Sequence, residues 1–253
     1  METGPTGDYP LIYAILRIGS WTACLALGTS LALIVGQNYY LRRRLLTLPE
    51  AIKGASGSLI AGIIAGAAGQ LLFGLVATNA WGWSAVSRTI AWTILGGFLG
   101  RGMAWFVPNL DKRRALLAGS GGGAVGALGF LLAASIFSDV VVRLVSAAIL
   151  GFCIGLTIAL IEKFTRSAWL VVNWTPKEQT IISLGEKPVL LGSSLDAHIY
   201  LRKDQGFPLV AVKIYMQGGE IILDNLMTEQ QQNLSDDQKI NIGGLTLKVK
   251  TGT

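Results

Sequence analysis

Few side chains in this sequence stand where they could do chemistry. The single histidine, His198, has no cysteine or carboxylate cluster at metal-ligand spacing. The two cysteines, Cys24 and Cys153, each lie inside an apolar run and are expected to be small buried hydrophobes, with no disulfide framework. GSGGGAVG, Gly119–Gly126, has the glycine content of a phosphate loop, but no Lys-Ser/Thr follows and the surrounding run is apolar. No nucleophile stands with a base. The expectation is a protein that is not an enzyme, with no cofactor and no metal. Two charged residues within or beside apolar runs remain. Arg101, in GGFLGRGMA, is costly in a membrane and is a functional candidate for that reason. It can snorkel to the headgroups or pair with Glu162 at the end of the last apolar run; a role in ion passage or lipid binding is the alternative. Gln70 is the only other strongly polar residue deep in such a run.

The elements that must carry these residues are set by hydropathy. Charged residues are 14% of the 253-residue chain, against about 25% in an ordinary soluble protein, and the mean hydropathy is +0.53. The shortage ends near Ala168. Up to that point there are 13 Lys/Arg against 6 Asp/Glu, and beyond it 8 against 9, so the basic balance belongs to the apolar part. It reflects orientation and contact with anionic lipid, not nucleic-acid binding. Five segments approach the length needed to cross a bilayer: Ile18–Asn38, Ser58–Thr78, Thr89–Val107, Ala115–Phe137 and Leu144–Ile161. Arg42, Arg43, Arg44 and Lys53, then Lys112, Arg113 and Arg114, then Lys163 and Arg166 fall on one side; on the other there is no Lys/Arg before Arg17, then only Arg88 and Arg143, each at the lip of a helix. The positive-inside rule then puts the N-terminus outside and the C-terminal domain in the cytoplasm, as in a bacterial inner membrane. Trp81, Trp83, Trp105 and Trp169 fall near the expected interfaces. The N-terminal METGPTGDYP lacks the positive stretch of a cleaved signal peptide.

The second and third segments resemble the fourth and fifth. LIAGIIAGAAG (Leu59–Gly69) aligns with LLAGSGGGAVG (Leu116–Gly126), and Arg88, Gly96 and Gly100 answer to Arg143, Gly151 and Gly155. The reading is a tandem helical hairpin, with units at about 58–107 and 115–162. Gly62, Gly66 and Gly69 share one helix face, as do Gly119, Gly123 and Gly126; Gly96 with Gly100 and Gly151 with Gly155 do the same on the return helices. Such faces let backbones approach closely, within one bundle or between subunits of a homo-oligomer.

From Trp169 to Thr253 the pattern changes to short alternating runs: LVVNW, QTIISLG, PVLLG, AHIYLR, LVAVKIYM, GEIILDN, KINIGG and LTLKVK. Their length and β-branched content predict an all-β sandwich. The expected organisation is a Gly-rich all-α transmembrane bundle over 1–168 followed by a β-sandwich over 169–253.

PVLLGSSLDAHIYL, PLVAVKIY, GGEIILDNL and LSDDQKINIGGLTLKVK together resemble a forkhead-associated (FHA) domain, and the whole chain resembles bacterial membrane proteins that join Gly-rich helices to such a domain. That family grips phosphothreonine with an arginine, a serine and an asparagine. Here Ser193 follows Gly192 where the arginine is expected, Pro208 takes the serine position, and MTEQQQNLSDDQ has no Asn-Gly. A phosphate dianion needs charge-assisted donors. The resemblance therefore implies a retained scaffold with phosphopeptide chemistry lost. Ser193, Ser194, Arg202 and Lys203 are the candidate binding residues. The expected function is a membrane-anchored adaptor that presents this domain to a cytoplasmic or membrane protein partner. The alternative is a subunit of an oligomeric pore or transport complex that the domain regulates.

Overall fold

The computed structural model describes residues 11–75, 81–134, 139–175, 177–242 and 244–252. Thr78 and Phe137, the expected ends of two spans, lie outside these, and the side chains of Trp81, Trp83 and Arg143 are likewise not described. Five helices come first: α1 (Leu11–Tyr40), α2 (Leu48–Leu75), α3 (Trp81–Met103), α4 (Lys112–Ala134) and α5 (Asp139–Thr165). Among the described residues four stretches are long and apolar enough to cross a membrane: Ile15–Tyr40, Leu48–Leu72, Lys112–Ala133 and Ala147–Thr165. Helix α3 is not among them, because Ser84, Ser87, Arg88, Thr89, Thr93 and Arg101 dilute its apolar run.

Two helix starts are written in polar caps. The Thr47 N–H donates to the Glu50 carboxylate at 3.0 Å, so α2 begins well before its apolar stretch. Asp111 Oδ1 accepts from the N–H groups of Arg113 and Arg114 at 3.0 and 2.9 Å and fixes the start of α4.

The chain forms two compact units that interleave along the sequence. The helical unit takes the described residues of Met1–Ile34, Thr47–Ala104 and Asp111–Ile161; the β-rich unit takes Val35–Leu46, Trp105–Leu110 and the described residues of Glu162–Thr253.

In the helical unit the glycines stand where backbones meet. The Cβ of an alanine at Gly96 would lie 2.9 Å from Gly123 Cα, and at Gly100 2.8 Å from Gly119 Cα, so α3 and α4 cross with no side chain between them. Gly62 and Gly66 of α2 face α1 in the same way, at 2.5 Å from Ala23 Cα and 2.9 Å from Gly19 Cα. The Thr22 hydroxyl also donates to the Gly62 carbonyl at 2.6 Å. Gly69 faces Ala91 of α3 and Gly126 faces Leu150 of α5. Gly151 and Gly155 meet only side chains of α1, Thr29 and Leu33. In lipid the apolar drive between helices is weak, and close backbone packing takes its place. One expectation is corrected: Cys24 is exposed and Cys153 half-buried, so Cys24 is not a core residue of this unit.

The β-rich unit has nine strands: β1 (Ala168–Thr175), β2 (Glu178–Leu184), β3 (Val189–Gly192), β4 (Ile199–Tyr200), β5 (Val212–Gln217), β6 (Glu220–Asn225), β7 (Gln230–Leu234), β8 (Lys239–Ile242) and β9 (Leu245–Thr251). They make one sheet of order β2-β1-β9-β8 and a second of order β4-β3-β5-β6-β7, antiparallel except for the β3–β4 pair. Alternation puts Leu170, Val172, Leu247 and Val249 of the first sheet and Val189, Leu191, Ile214 and Leu223 of the second into one buried core. The β5–β6 turn is Gly218-Gly219, with φ of +62° and +89°, the left-handed geometry a two-residue hairpin needs. Strand β7 lies outside the alternating runs read as strands from the sequence. Leu41, from the segment after α1, is fully buried in the same core.

Two neighbouring glycines of α4 test the packing. An alanine at Gly119 would bring its Cβ to 2.8 Å from Gly100 Cα, whereas at Gly121 nothing lies within 4 Å. Gly119→Ala should lower stability by about 1–3 kcal/mol; Gly121→Ala should leave it unchanged or raise it by about 0.5–1 kcal/mol. Thermal unfolding in detergent measures both, and equal melting of the two variants contradicts the packing described.

Candidate functional site

Two features of the β-rich unit gather polar and exposed side chains. The first is a collar along β2, the outer strand of the first sheet. An edge strand carries backbone groups with no neighbouring strand to bind them. Tyr40, at the end of α1, supplies one side chain for both roles: its hydroxyl accepts from the Ile181 N–H at 2.9 Å and lies 3.4 Å from the Ile181 carbonyl. The Thr180 hydroxyl donates to the Tyr40 carbonyl at 3.3 Å and accepts from the Trp174 indole N–H at 2.9 Å. Arg42 pairs with Glu178 and lies 5.6 Å over the Trp174 ring. Asn109, held at φ +56°, donates to the Ser183 and Lys187 carbonyls at 3.0 and 3.1 Å and accepts from the Lys187 N–H at 3.2 Å.

Glu162 also joins the collar. Its carboxylate accepts from the Ser183 hydroxyl and pairs with Arg166 at 3.0 Å, one helical turn on. Arg166 in turn lies 5.9 Å over the Trp169 ring. Arg101 is exposed on the last turn of α3 and makes no hydrogen bond or ion pair with a described residue.

The second feature is the end of the second sheet where β3 and β6 finish and β5 begins. Ser193 and Ser194 follow β3, and their N–H groups donate to the carbonyls of Pro208 and Leu209 at 2.9 and 3.0 Å. The Ser193 hydroxyl donates to the Phe207 carbonyl at 3.0 Å, and the Ser194 hydroxyl accepts from the Asp196 N–H at 3.2 Å. The Leu201 N–H donates to the Gly192 carbonyl at 2.8 Å, which sets Arg202 at the neighbouring strand end. Arg202 pairs with Asp204 at 2.8 Å, and Lys203 opens a short 3-10 turn, Lys203–Gln205. The four candidate residues therefore share one end of the sheet, with the serine hydroxyls turned to the chain's own backbone.

The same end carries apolar side chains in the open. Leu195, Leu209, Leu226 and Met227 are 51, 66, 40 and 53% exposed. The Leu226 N–H donates to the Ala211 carbonyl at 2.9 Å, which sets the turn after β6 beside the segment before β5. Arg43 donates to the Leu195 carbonyl at 2.8 Å. None of these was singled out from sequence; the one signal was large apolar residues in loops that strand alternation does not explain.

His198 lies behind this end and is mostly buried. Its Nδ1 accepts from the Leu190 N–H at 3.0 Å, so the neutral ring carries its proton on Nε2. Burial, and then the charge of Arg43, push its pKa down to about 4, with Asp196 opposing.

No protein-family model matches the chain, and no curated protein matches it either. One solved structure, from a structural and functional analysis of phosphothreonine-dependent FHA domain interactions, is 19% identical and covers 34% of this chain and 98% of its own, with a TM-score of 0.28. So low a score leaves the β-rich unit to be understood from its own sheet order and loop geometry.

The histidine gives a pH test. Its folded pKa of about 4 lies below its ordinary 6.5, so the unfolded chain binds the proton more tightly. Its contribution is complete above about pH 6.5 and is lost as the pH falls toward 4, by up to about 3 kcal/mol. His198→Gln should flatten the stability profile of the full chain between those values. A slope unchanged by the substitution contradicts the buried neutral ring.

Proposed function

We propose that this chain is a membrane-anchored adaptor. Its helices hold an FHA-like β-sandwich at the cytoplasmic face of a bacterial inner membrane, and the sandwich binds a protein partner through contacts that do not need phosphate. The membrane anchoring is supported by the four apolar stretches, with α3 as a fifth span completed by its glycine crossing with α4. The cytoplasmic placement is supported by the loop charges. A tandem hairpin origin is supported by matched packing: Gly62 with Gly66 and Gly119 with Gly123 each meet the preceding helix, and Gly69 and Gly126 each meet the following one.

The observation that carries the binding mode is the exposed quartet Leu195, Leu209, Leu226 and Met227 beside a Ser193 hydroxyl already committed to Phe207. A phosphate site would present charged donors there. Arg202, at the neighbouring strand end, is instead paired with Asp204. An apolar surface of this kind at loops suits a partner's apolar side chains.

Two experiments test the proposal. Calorimetry of the full chain against a phosphothreonine peptide library and its unphosphorylated twin should show no preference for phosphate; a consistent preference, lost in Arg202→Ala, contradicts the binding mode. In intact cells, Ser235→Cys on a Cys24→Ala, Cys153→Ala background should label with an impermeant maleimide only after the membrane is opened. Labelling of intact cells reverses the topology.

A further inference from the structure

The two described sheets end in four outer strands, β2, β8, β4 and β7. Natural edges are guarded by charge, proline, a bulge, shortness or cover, because an open ladder recruits other strands. Tyr40 and Asn109 cover β2. Strand β8 carries the exposed Lys239, and β4 is two residues long. Strand β7, QQQNL, has none of these guards. It holds no charge and no proline, and it pairs with β6 in unbroken register from Ile221↔Leu234 to Asn225↔Gln230. Gln230, Gln231, Gln232 and Asn233 are all exposed. Outside β6, no described residue hydrogen-bonds the β7 backbone.

We infer that β7 is the pairing edge for β7 of a second copy of this chain, joined antiparallel about a two-fold axis at Gln232. The exposed side chains are all primary amides, each at once donor and acceptor, so an identical strand answers them. Ladders of glutamine and asparagine add to the pairing of identical segments. An axis at Gln232 sets Gln231 opposite Asn233 and Gln230 opposite Leu234 of the other copy. The flanking charges then avoid one another, because Glu229 faces Ser235 and Asp236 faces Thr228. Two of the amides are already held in place. Asn233 donates to the Glu220 carboxylate at 2.7 Å and Gln231 to the Tyr215 hydroxyl at 3.5 Å, so pairing has little loose side chain to order. A strand pair this short is weak alone, but copies held in one membrane meet at a raised effective concentration. The edge can pair whether or not the apolar loop end binds a partner.

Oxidative crosslinking of the full chain in its membrane tests this, on a Cys24→Ala, Cys153→Ala background. Residues directly opposite in antiparallel strands have Cβ atoms about 4.5–5.5 Å apart, so Gln232→Cys on the axis meets itself. It should give a disulfide-linked species of twice the chain mass, several-fold more than Lys239→Cys on the guarded strand β8. Adding Gln231→Lys and Asn233→Lys sets lysine against lysine across the axis and should suppress that species several-fold. If the two lysines prevent folding, Thr228→Asp, outside the strand, takes their place; it faces Asp236 and should lower the yield in the same way. A Gln232→Cys yield no higher than that of Lys239→Cys, a yield that the added charges leave unchanged, or a crosslink to a chain of another mass overturns the inference. The last of these would make β7 the edge for a different protein.

Discussion

Strand β2 is an outer strand, and on its open side its backbone groups need partners that no strand provides. They come from side chains far away in sequence: Tyr40 reaches Ile181 and Asn109 reaches Ser183 and Lys187. At this part-exposed edge each such hydrogen bond contributes about 0.5–1.5 kcal/mol, and together they tie the strand to the interhelical segments. This is why the β-rich unit takes in Val35–Leu46 and Trp105–Leu110. Leu41 belongs to its core as fully as Leu170 does. A fragment starting at Trp169 keeps all but the first residue of the strands and loses Leu41, Tyr40 and Asn109. It would leave a hole in the core and an open edge, both of which invite aggregation. Because these contacts span long stretches of chain, their loop-closure entropy must be met before the sandwich is complete.

The helical unit solves a different problem with the same economy. Water drives the sandwich core together, but lipid gives helices little reason to associate. Their contacts are therefore made where side chains are absent, as at Gly96, Gly100, Gly119 and Gly123. Not every glycine serves this end. Gly28, Gly57 and Gly121 have nothing within 4 Å of where a Cβ would stand. Glycine content alone does not say which faces are packed.

That distinction marks how much was legible in the sequence. Long apolar runs announce helices because a bilayer fixes their length, and the β1, β2, β5 and β9 runs announce strands because their apolar residues alternate. Strand β7 could not be read. Gln230–Leu234 has no alternation and gains its conformation by pairing with β6, from Ile221↔Leu234 to Asn225↔Gln230. The candidate loop residues were legible as a group, since Ser193, Ser194, Arg202 and Lys203 do share one sheet end. Their commitments were not: the Phe207 carbonyl that takes the Ser193 hydroxyl is fourteen residues away. The contacts of Glu162 were not legible either. Glu162 has a helical neighbour at i+4 and a strand partner in Ser183, and neither is visible when only apolar segments are weighed.

The loop end of the second sheet places charged and apolar side chains side by side. Its charged groups are used locally. Arg43 donates to the Leu195 carbonyl, Arg202 pairs with Asp204, and the one histidine is buried in its neutral form. Each arrangement stabilises a turn or a strand end, and each withdraws a donor from any incoming anion. Beside the exposed Arg202, Lys203 and Asp204, four large apolar side chains also stay outward. Single exposed leucines are ordinary on a protein surface, but four large apolar side chains on neighbouring loops keep an unfavourable contact with water unless something covers them. Polar residues at those positions would cost the fold less than in the core, because Leu195, Leu209, Leu226 and Met227 lie outside the buried cluster. Stability of the sandwich core does not by itself account for apolar residues at these positions.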